Sequence, residues 1–342
     1  MVRKAEVVLE YQPLLDALPR SPKAMLQQAC SNDEVTVSSW LPQWIGQYQH
    51  NQKKYGPFRD NSIGQLYGKF KNMPAIVAGS GPSLKNNVHL LKDRGPNMPL
   101  VSCLHNFHIM EDAEAAPDLY VTLDAGEVTV EEVWEGGTKD PDHYWALTEN
   151  RTLAAFCGTH PKLLEKWRGK VLFYNCTIPS KEYISAIEEA EPFFTLVSNG
   201  GNVLGSAFYI AKCYLGCNPI VFIGADFAFS HGESPTFHSW KSKYDKDIGH
   251  CIRAVDVYGI PVKTWPSYSN FKAWFEYVAE TVPGCYVNCS EGGTLGSHPG
   301  GNLRSFEYMD LKDFYEAYGV SRHVKEQIET PDLPREKRLV VF

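Results

Sequence analysis

From residue 73 onward, the sequence alternates short apolar runs with stretches of helical spacing. The runs PAIVAG, PLVSCL, DLYVTL and NPIVFIG are apolar and rich in β-branched residues, which is typical of buried strands. Strands that alternate with helices form parallel sheets, because each helix carries the chain back to the start of the next strand. The sequence therefore predicts an α/β fold: a Rossmann-like, mostly parallel sheet with helices on both faces.

The same periodicity predicts further elements along the chain. Additional strands are expected at HYWALT, KVLFYN, CYVNCS and residues 261–264. Helices are expected at residues 82–92, 160–167, 202–215, 245–258 and 268–280.

The first 70 residues differ from the rest and predict a helical N-terminal extension. Two stretches of helical spacing carry Trp40, Trp44, Tyr48 and Tyr55, and such aromatic residues indicate packing onto the main domain. We therefore divide the chain into a helical extension (1–70), a Rossmann-like catalytic-type domain (71–320) and a C-terminal tail (321–342).

Composition excludes several classes of protein. Of the 342 residues, 43% are hydrophobic, which is enough to bury a core and excludes a disordered chain. The net charge of −7 argues against a nucleic-acid partner, and no apolar run reaches the roughly 18 residues that span a membrane. The nine cysteines are odd in number and no secretory signal precedes them, so we expect free thiols and a cytoplasmic protein. The sequence leaves open whether the protein forms a homo-oligomer.

A glycine-containing turn follows the first predicted strand. Its residues are Gly79, Ser80, Gly81, Pro82 and Ser83. Glycines let a backbone approach an anion closely, and proline suits the first turn of a helix. The turn is neither GxGxxG nor a Walker A loop, but its N–H groups at a helix start predict a phosphate-binding site. A plain strand–helix turn is the alternative.

The next two strands also end in polar side chains. His105, Asn106 and His108 follow the second strand, and Asp124 ends the third. Ligands of such sheets bind outside the carboxyl ends of the strands. Asp124 therefore is a candidate to accept from a sugar hydroxyl, to hold a metal or to act as a base. A helix cap or turn former is the alternative for Asp124, and packing is the alternative for the histidines.

The segment around the NPIVFIG strand contains the largest number of candidate site residues. A polar, glycine-containing turn precedes the helix before that strand; its candidate residues are Ser198, Gly200, Gly201 and Asn202. The strand itself ends at Asp226, and His231 and His238 follow within a short distance. A carboxylate at a strand end with nearby histidines predicts a catalytic edge. For either histidine, a solvent-exposed position is the alternative.

Four segments, in order, resemble one known family. They are PAIVAGSGPSL, APDLYVTLD, SNGGNVLGSAFYIAKCYLGCNPIVFIGADFAF and YVNCSEGGTLGS, and they span residues 73–297. This pattern resembles the domain shared by the archaeal 6-hydroxymethylpterin diphosphokinases and the bacterial motility-associated factor (Maf) glycosyltransferases. The wider fold is similar to that of the small bacterial sialyltransferases, which use CMP-sialic acid.

The resemblance implies roles for the candidate residues. The turn at residues 79–83 would hold the nucleotide phosphate with help from Asn106, and Asp226 would close the pocket. His231 or His238 would be the general base, and Tyr244 would stabilise the leaving phosphate. The residues that would line the nucleotide are Asp124, Ser198, Gly200, Gly201 and Asn202.

Three functions stay open at this stage. The first is a nucleotide-sugar-dependent glycosyltransferase, with a CMP-activated nonulosonic (sialic-acid-like) donor, no required cofactor and an unknown acceptor. The second is a diphosphokinase that uses ATP, with Mg²⁺ held by Asp124 and Glu127. In that branch an acidic cluster would hold the metal, whereas this chain has a single aspartate before Ala125. The third is a catalytically inactive nucleotide-binding or assembly module.

Overall fold

The computed structural model describes residues 22–178, 180–190, 195–229 and 251–318, and it describes side chains from residue 36 onward. The strands in this part of the chain are β1 Ala75–Ala78, β2 Leu100–Cys103, β3 Leu119–Thr122, β4 Thr152–Phe156, β5 Lys170–Cys176, β6 Leu196–Val197, β7 Ile220–Ile223, β8 Ile252–Val255, β9 Pro261–Thr264, β10 Tyr286–Asn288 and β11 Glu307–Tyr308. The helices are α1 Pro22–Tyr55, α2 Leu84–Asn87, α3 Phe107–Asp112, α4 Pro141–Leu147, α5 Pro161–Lys166, α6 Lys181–Ala190, α7 Val203–Tyr209, α8 Pro266–Thr281 and α9 Leu311–Tyr318.

Single turns of other helix types link these elements. Short 3₁₀ helices are Phe58–Asn61, Ile63–Leu66, Val88–Asp93, Leu104–Asn106, Glu127–Val130 and Thr148–Asn150, and a π-helical turn, Ile210–Tyr214, continues α7.

Nine of the strands form one sheet, and every pair of neighbours in it is parallel. The order is β11-β10-β7-β1-β2-β3-β4-β5-β6. All residues of β1, β2, β3 and β7 are buried, as expected of central strands that are covered on both faces. The predicted α/β, Rossmann-like fold is confirmed.

The connections place a topological switch point in the middle of the sheet. From β1 the chain adds strands in one direction as far as β6, and it then returns to place β7 on the other side of β1. At such a reversal, the loops after the two central strands diverge and leave a crevice at their carboxyl ends. The loops after β1 and β7 are therefore the first place to look for a ligand site.

Two local predictions are wrong, and tertiary context explains both. The predicted strand HYWALT lies in α4, which starts at Pro141 and is capped by Asp140, whose side chain accepts a hydrogen bond from His143 N at 3.0 Å. The strand at this point of the sheet is β4, which the sequence pattern did not predict. The predicted helix 245–258 is also wrong where the structure describes it, because β8 pairs antiparallel with β9.

Aromatic packing fixes α7 and α8 against the sheet near the switch point. The rings of Phe208 in α7, Phe222 in β7 and Phe275 in α8 lie 5.6–5.8 Å apart, centroid to centroid. Such contacts bury large apolar areas in defined geometries. This cluster fixes the last turn of α7 and the middle of α8 against β7.

Helix α1 packs on the main domain through polar as well as apolar contacts. Gln43 and Gln47 both donate side-chain hydrogen bonds to the carbonyl oxygen of Ala125, at 2.9 and 3.1 Å. Asn51, which is fully buried, donates to the carbonyl oxygens of Cys157 and Thr159. The N-terminal helix is thereby anchored beside the ends of β3 and β4.

The cysteines that the structure describes are all free thiols. Cys217 is buried, and burial raises the pKa of its thiol to about 12, so it behaves as a small apolar side chain. In the described ranges, no helix combines the length and the apolar character needed to cross a membrane.

Candidate functional site

The turn after β1 is bound to the turn after β7 by backbone hydrogen bonds. Gly79 N donates to Ile223 O at 2.9 Å, and Gly81 N donates to Gly224 O at 2.8 Å. A Cβ atom on Gly81 would lie 2.6 Å from Gly224 O, inside van der Waals contact. Glycine is thus required here for the close approach of two backbones.

Asp226 lies at the centre of this contact. It is 1% exposed, and its carboxylate accepts hydrogen bonds from Ser83 N at 3.0 Å and from Ser83 Oγ. The carboxylate therefore satisfies the N–H at the start of α2 and ties the two loops together. Asp226 was predicted as a catalytic residue; the structure places it as a buried partner of the β1 turn.

Three of the N–H groups of the β1 turn are directed at the protein itself. Those of Gly79, Gly81 and Ser83 all have protein acceptors. Gly79, Gly81, Pro82 and Ser83 are buried and Ser80 is half-buried. The expectation of free N–H groups facing a phosphate is not met for these three donors, because the turn is used to join β1 to β7.

Asn106 is the third member of this cluster. It is completely buried, and its amide nitrogen donates to Gly79 O at 3.0 Å and to Ser102 Oγ at 3.1 Å. Its Oδ1 has no hydrogen-bond partner within the described ranges. Asn106 therefore braces the turn that it was predicted to assist.

The last of the resembling segments, YVNCSEGGTLGS, also meets the switch point. Thr294 N donates to Asp226 O at 2.7 Å, and Ala225 N donates to Ser290 Oγ at 3.1 Å. A Cβ atom on Gly293 would lie 2.6 Å from Asp226 O, and Gly293 has a φ of +72°. Three sequence segments that are far apart in the chain are thus packed against one another.

A cleft opens beside this cluster, at the carboxyl ends of β2 to β5. It consists of two adjoining cavities of about 370 and 360 Å³, a size typical of small-molecule sites. Helix α1 and the turn before α7 contribute to both cavities. The residues that line both are Thr36, Trp44, Leu123 and Gly201.

The first cavity is mainly apolar and has a polar rim. Its apolar wall joins α1, the sheet and α8, and it consists of Val37, Trp44, Leu123, Phe156, Ile178 and Phe271. The Trp44 and Phe156 rings meet edge to face at 6.4 Å. Its polar residues include Thr177, Asn199, Ser267 and Asn270.

The glycine turn before α7 forms one wall of the cleft. Gly200 and Gly201 have φ values of +57° and +82°, which only glycine adopts readily. Asn202 caps α7, since its side chain accepts from Gly205 N at 2.9 Å. The structure therefore brings the predicted residues Gly200, Gly201 and Asn202 to the cleft, whereas Ser198 is buried and does not line it.

Two carboxyl groups line the second cavity. Asp124 Oδ1 accepts a hydrogen bond from Gly126 N at 2.7 Å. Burial, together with the charges of Asp124 and Glu135, raises the pKa of Glu132 to about 8. Glu132 and the cavity-lining role of the α1 tryptophans were missed by sequence reasoning, because nothing in their local pattern distinguishes them from solvent-facing or packing residues.

Only one of the two predicted magnesium ligands lines the cleft: Asp124 lines the second cavity, whereas Glu127 does not. Glu127 is exposed and forms an ion pair with Lys162; the hydrogen bond from this lysine lowers the pKa of Glu127. Within the described ranges, no three His, Cys, Asp or Glu side chains form a group that could hold a metal ion. Asp124 and Glu127 therefore do not face the same cavity, and their role as magnesium ligands stays a prediction.

The histidine predictions have mixed outcomes. His231, His238 and Tyr244 lie outside the described residues. His105 lines the second cavity. His108 is buried, and burial lowers the pKa of its imidazole to about 4 despite the charge of Asp112, so it is a neutral packing residue.

A family match and a structural match to known proteins are both consistent with the fold described above. A family model described as "6-hydroxymethylpterin diphosphokinase MptE-like" matches residues 49–232. Among solved structures, the chain is similar to the Maf glycosyltransferase from Magnetospirillum magneticum AMB-1, with 15% identity and a TM-score of 0.50. The match covers 80% of this chain and 40% of that protein. No curated protein matches the sequence.

At this identity, the likeness to the solved structure shows a shared fold. The chain spans less than half of the length of that glycosyltransferase. The family match ends before α8 and begins within α1, so Trp40 and Trp44 of the cleft lie outside the matched residues.

Proposed function

Because the chain belongs to the 6-hydroxymethylpterin diphosphokinase MptE-like family, we propose that it is a transferase whose phosphorylated donor binds in the cleft at the carboxyl edge of the sheet. The observation that carries this proposal is the position of the cleft. It lies at the carboxyl ends of β2 to β5, the edge of the sheet where ligands of such folds bind. One wall of it is the glycine turn before α7, and no described residue of the turns after β1 and β7 lines it.

Within this class, we propose a nucleotide-sugar-dependent glycosyltransferase with a CMP-activated nonulosonic donor. The lining residues of both cavities include no lysine or arginine among those described. Such a lining is better suited to a single phosphate than to the triphosphate of ATP, whose charge is usually neutralised by cations or metal ions. The sequence resemblance to sialyltransferases supports the same donor.

The transfer itself needs three events at this edge. The acceptor hydroxyl attacks the anomeric carbon, the bond from that carbon to the CMP oxygen breaks, and the hydroxyl proton passes to a base. Donated hydrogen bonds stabilise the phosphate as it leaves. The resemblance implies His231 or His238 as the base, and we propose that the leaving nucleotide lies in the cleft beside Gly201 and Asn202.

A second candidate is diphosphate transfer from ATP to a hydroxymethyl group. The description of the matching family favours it directly. Under this alternative, Asp124 would hold Mg²⁺ at the cleft, and Glu127 would have to exchange its ion pair with Lys162 for the metal.

Ligand-induced stabilisation distinguishes these functions. We expect CMP to raise the free energy of unfolding by about 2.7 kcal/mol at 100 times its dissociation constant, without added metal. Thermal denaturation with CMP, CDP, UDP, GDP and ATP, each with and without Mg²⁺, measures this. Stabilisation by ATP only in the presence of Mg²⁺ would instead support the diphosphokinase. If no nucleotide stabilises the protein, the inactive module is the remaining interpretation.

A further inference from the structure

The N-terminal helix supplies a wall of the ligand cleft that the family match does not contain. The match begins at residue 49, whereas Thr36, Trp40 and Trp44 of α1 line the second cavity. Gln43 and Gln47 hold α1 in this place through Ala125, which itself lines the cavity. The wall is therefore fixed to the loop that follows β3.

Trp40 differs from the other apolar residues of this helix. Val37, Leu41 and Trp44 pack against the hydrophobic core, but Trp40 is not a member of that cluster within the described ranges. It is nevertheless half-buried and lines the cavity. An indole that is sheltered without packing into the core presents ring surface to the cavity, and flat rings stack on such surfaces.

The same cavity offers hydrogen-bond acceptors in the form of Asp124 and Glu132. Glu132 has no hydrogen bond or ion pair from its carboxyl group within the described ranges, although its side chain is half-buried. Two carboxyl groups repel phosphate but accept hydrogen bonds from amino groups and ring N–H groups.

From this arrangement, we propose that Trp40, Asp124 and Glu132 bind the amino-substituted nitrogen heterocycle of the ligand, with the ring stacked on Trp40 and its amino edge directed at the carboxyl groups. The inference rests on the proposed function, since it assigns one part of that donor or acceptor. The heterocycle has two candidate sources, a nucleobase such as cytosine or a pterin, and both carry the same amino-bearing edge.

The chemistry of Glu132 is consistent with this assignment. Its raised pKa leaves a substantial protonated fraction at neutral pH. A protonated carboxyl group donates to a ring nitrogen and accepts from the adjacent amino group, which is the pattern of the cytosine edge. The ionised carboxylate still accepts from the amino group, so either form binds it.

Equilibrium titration of the full chain with CMP, UMP and 6-hydroxymethylpterin tests the proposal. CMP and UMP differ in the base edge, where an amino group is replaced by a carbonyl oxygen. We expect CMP or the pterin to bind, with UMP at least about tenfold weaker than CMP if the nucleotide is the source. Equal affinities for CMP and UMP, with no binding of the pterin, would overturn the assignment.

Matched variants locate the site. We expect Trp40→Ala and Glu132→Leu each to lower the affinity for the heterocycle about tenfold or more. Trp40→Phe and Glu132→Gln should retain most of the affinity, because phenylalanine still stacks and glutamine still pairs with an amino edge. Tyr67→Ala, at an exposed aromatic residue outside both cavities, is the control and should leave binding unchanged. Circular dichroism confirms that each variant is folded.

The outcomes separate this inference from the proposed function. If CMP binds and neither Trp40→Ala nor Glu132→Leu changes its affinity by more than about twofold, the heterocycle site is wrong while the transferase proposal stands. If neither CMP nor the pterin binds the unmodified chain, both are overturned.

Discussion

Replacing Gly205 by alanine is expected to lower the free energy of unfolding by about 3 kcal/mol, because the new methyl group has no room. A Cβ atom on Gly205 would lie 2.5 Å from the carbonyl carbon of Asn199, which is backbone and cannot rotate away. To relieve the overlap, the turn that contains Gly200 and Gly201 must move away from α7. The same substitution should therefore also weaken ligand binding in the cleft.

Urea unfolding of the Gly205→Ala and Gly46→Ala variants, each compared with the unmodified chain, tests this expectation. Gly46 also lies in a helix, is exposed, and has open space where a Cβ atom would be added, with no atom within 4 Å. There, alanine should stabilise the fold by roughly 0.5–1 kcal/mol through its higher helix propensity. Opposite signs for the two substitutions would confirm the steric argument, whereas a neutral Gly205→Ala would show that the turn has room to shift.

Replacing Asp226 by alanine should lower the free energy of unfolding by roughly 4 kcal/mol. The change leaves the buried N–H and O–H of Ser83 without their acceptor, and each such unsatisfied group costs about 1–3 kcal/mol. It also removes the side-chain link between the turns after β1 and β7, so that only their backbone hydrogen bonds remain. Denaturant unfolding with matched activity measurements would show both effects.

Ser83→Ala is the control for this prediction. It removes the hydroxyl donor but keeps the backbone N–H that binds Asp226, so we expect a loss of about 2 kcal/mol. The double variant should lose less than the sum of the two single changes, because both remove the same contact. Additive losses, or an Asp226→Ala protein as stable as the unmodified chain, would show that the carboxylate does not hold the turn.

The expected effects of Asp226→Ala and Ser83→Ala change how the aspartate in the turn after β7 is interpreted. From the sequence, Asp226 is a catalytic candidate, and its substitution should spare the fold and reduce turnover. The structure adds a buried structural contact, so a loss of activity in an Asp226 variant has to be compared with its loss of stability. Its predicted catalytic role stays a prediction.

The sequence alone predicted the elements whose signal is local. The apolar runs of β1, β2, β3 and β7 mark central strands, and the glycines at 79, 81, 200 and 201 mark turns at the carboxyl edge. These patterns depend on residues that are adjacent in the chain, such as a run of buried β-branched side chains or a backbone position that favours glycine. HYWALT and the segment at β8 were mispredicted because a proline start and a hairpin partner outweighed their periodicity.

Only the tertiary structure decided which of these residues act together. Ser83 and Asp226 are 143 positions apart, and no local pattern shows that the aspartate binds the turn instead of facing a ligand. Nor does the pattern of α1 show that Trp40 faces a cavity with Glu132 rather than the core. The sequence determines the fold class and the edge where chemistry belongs, because strand and turn preferences are short-range. The division of that edge into a structural cluster and an open cleft depends on long-range burial, which folding alone creates.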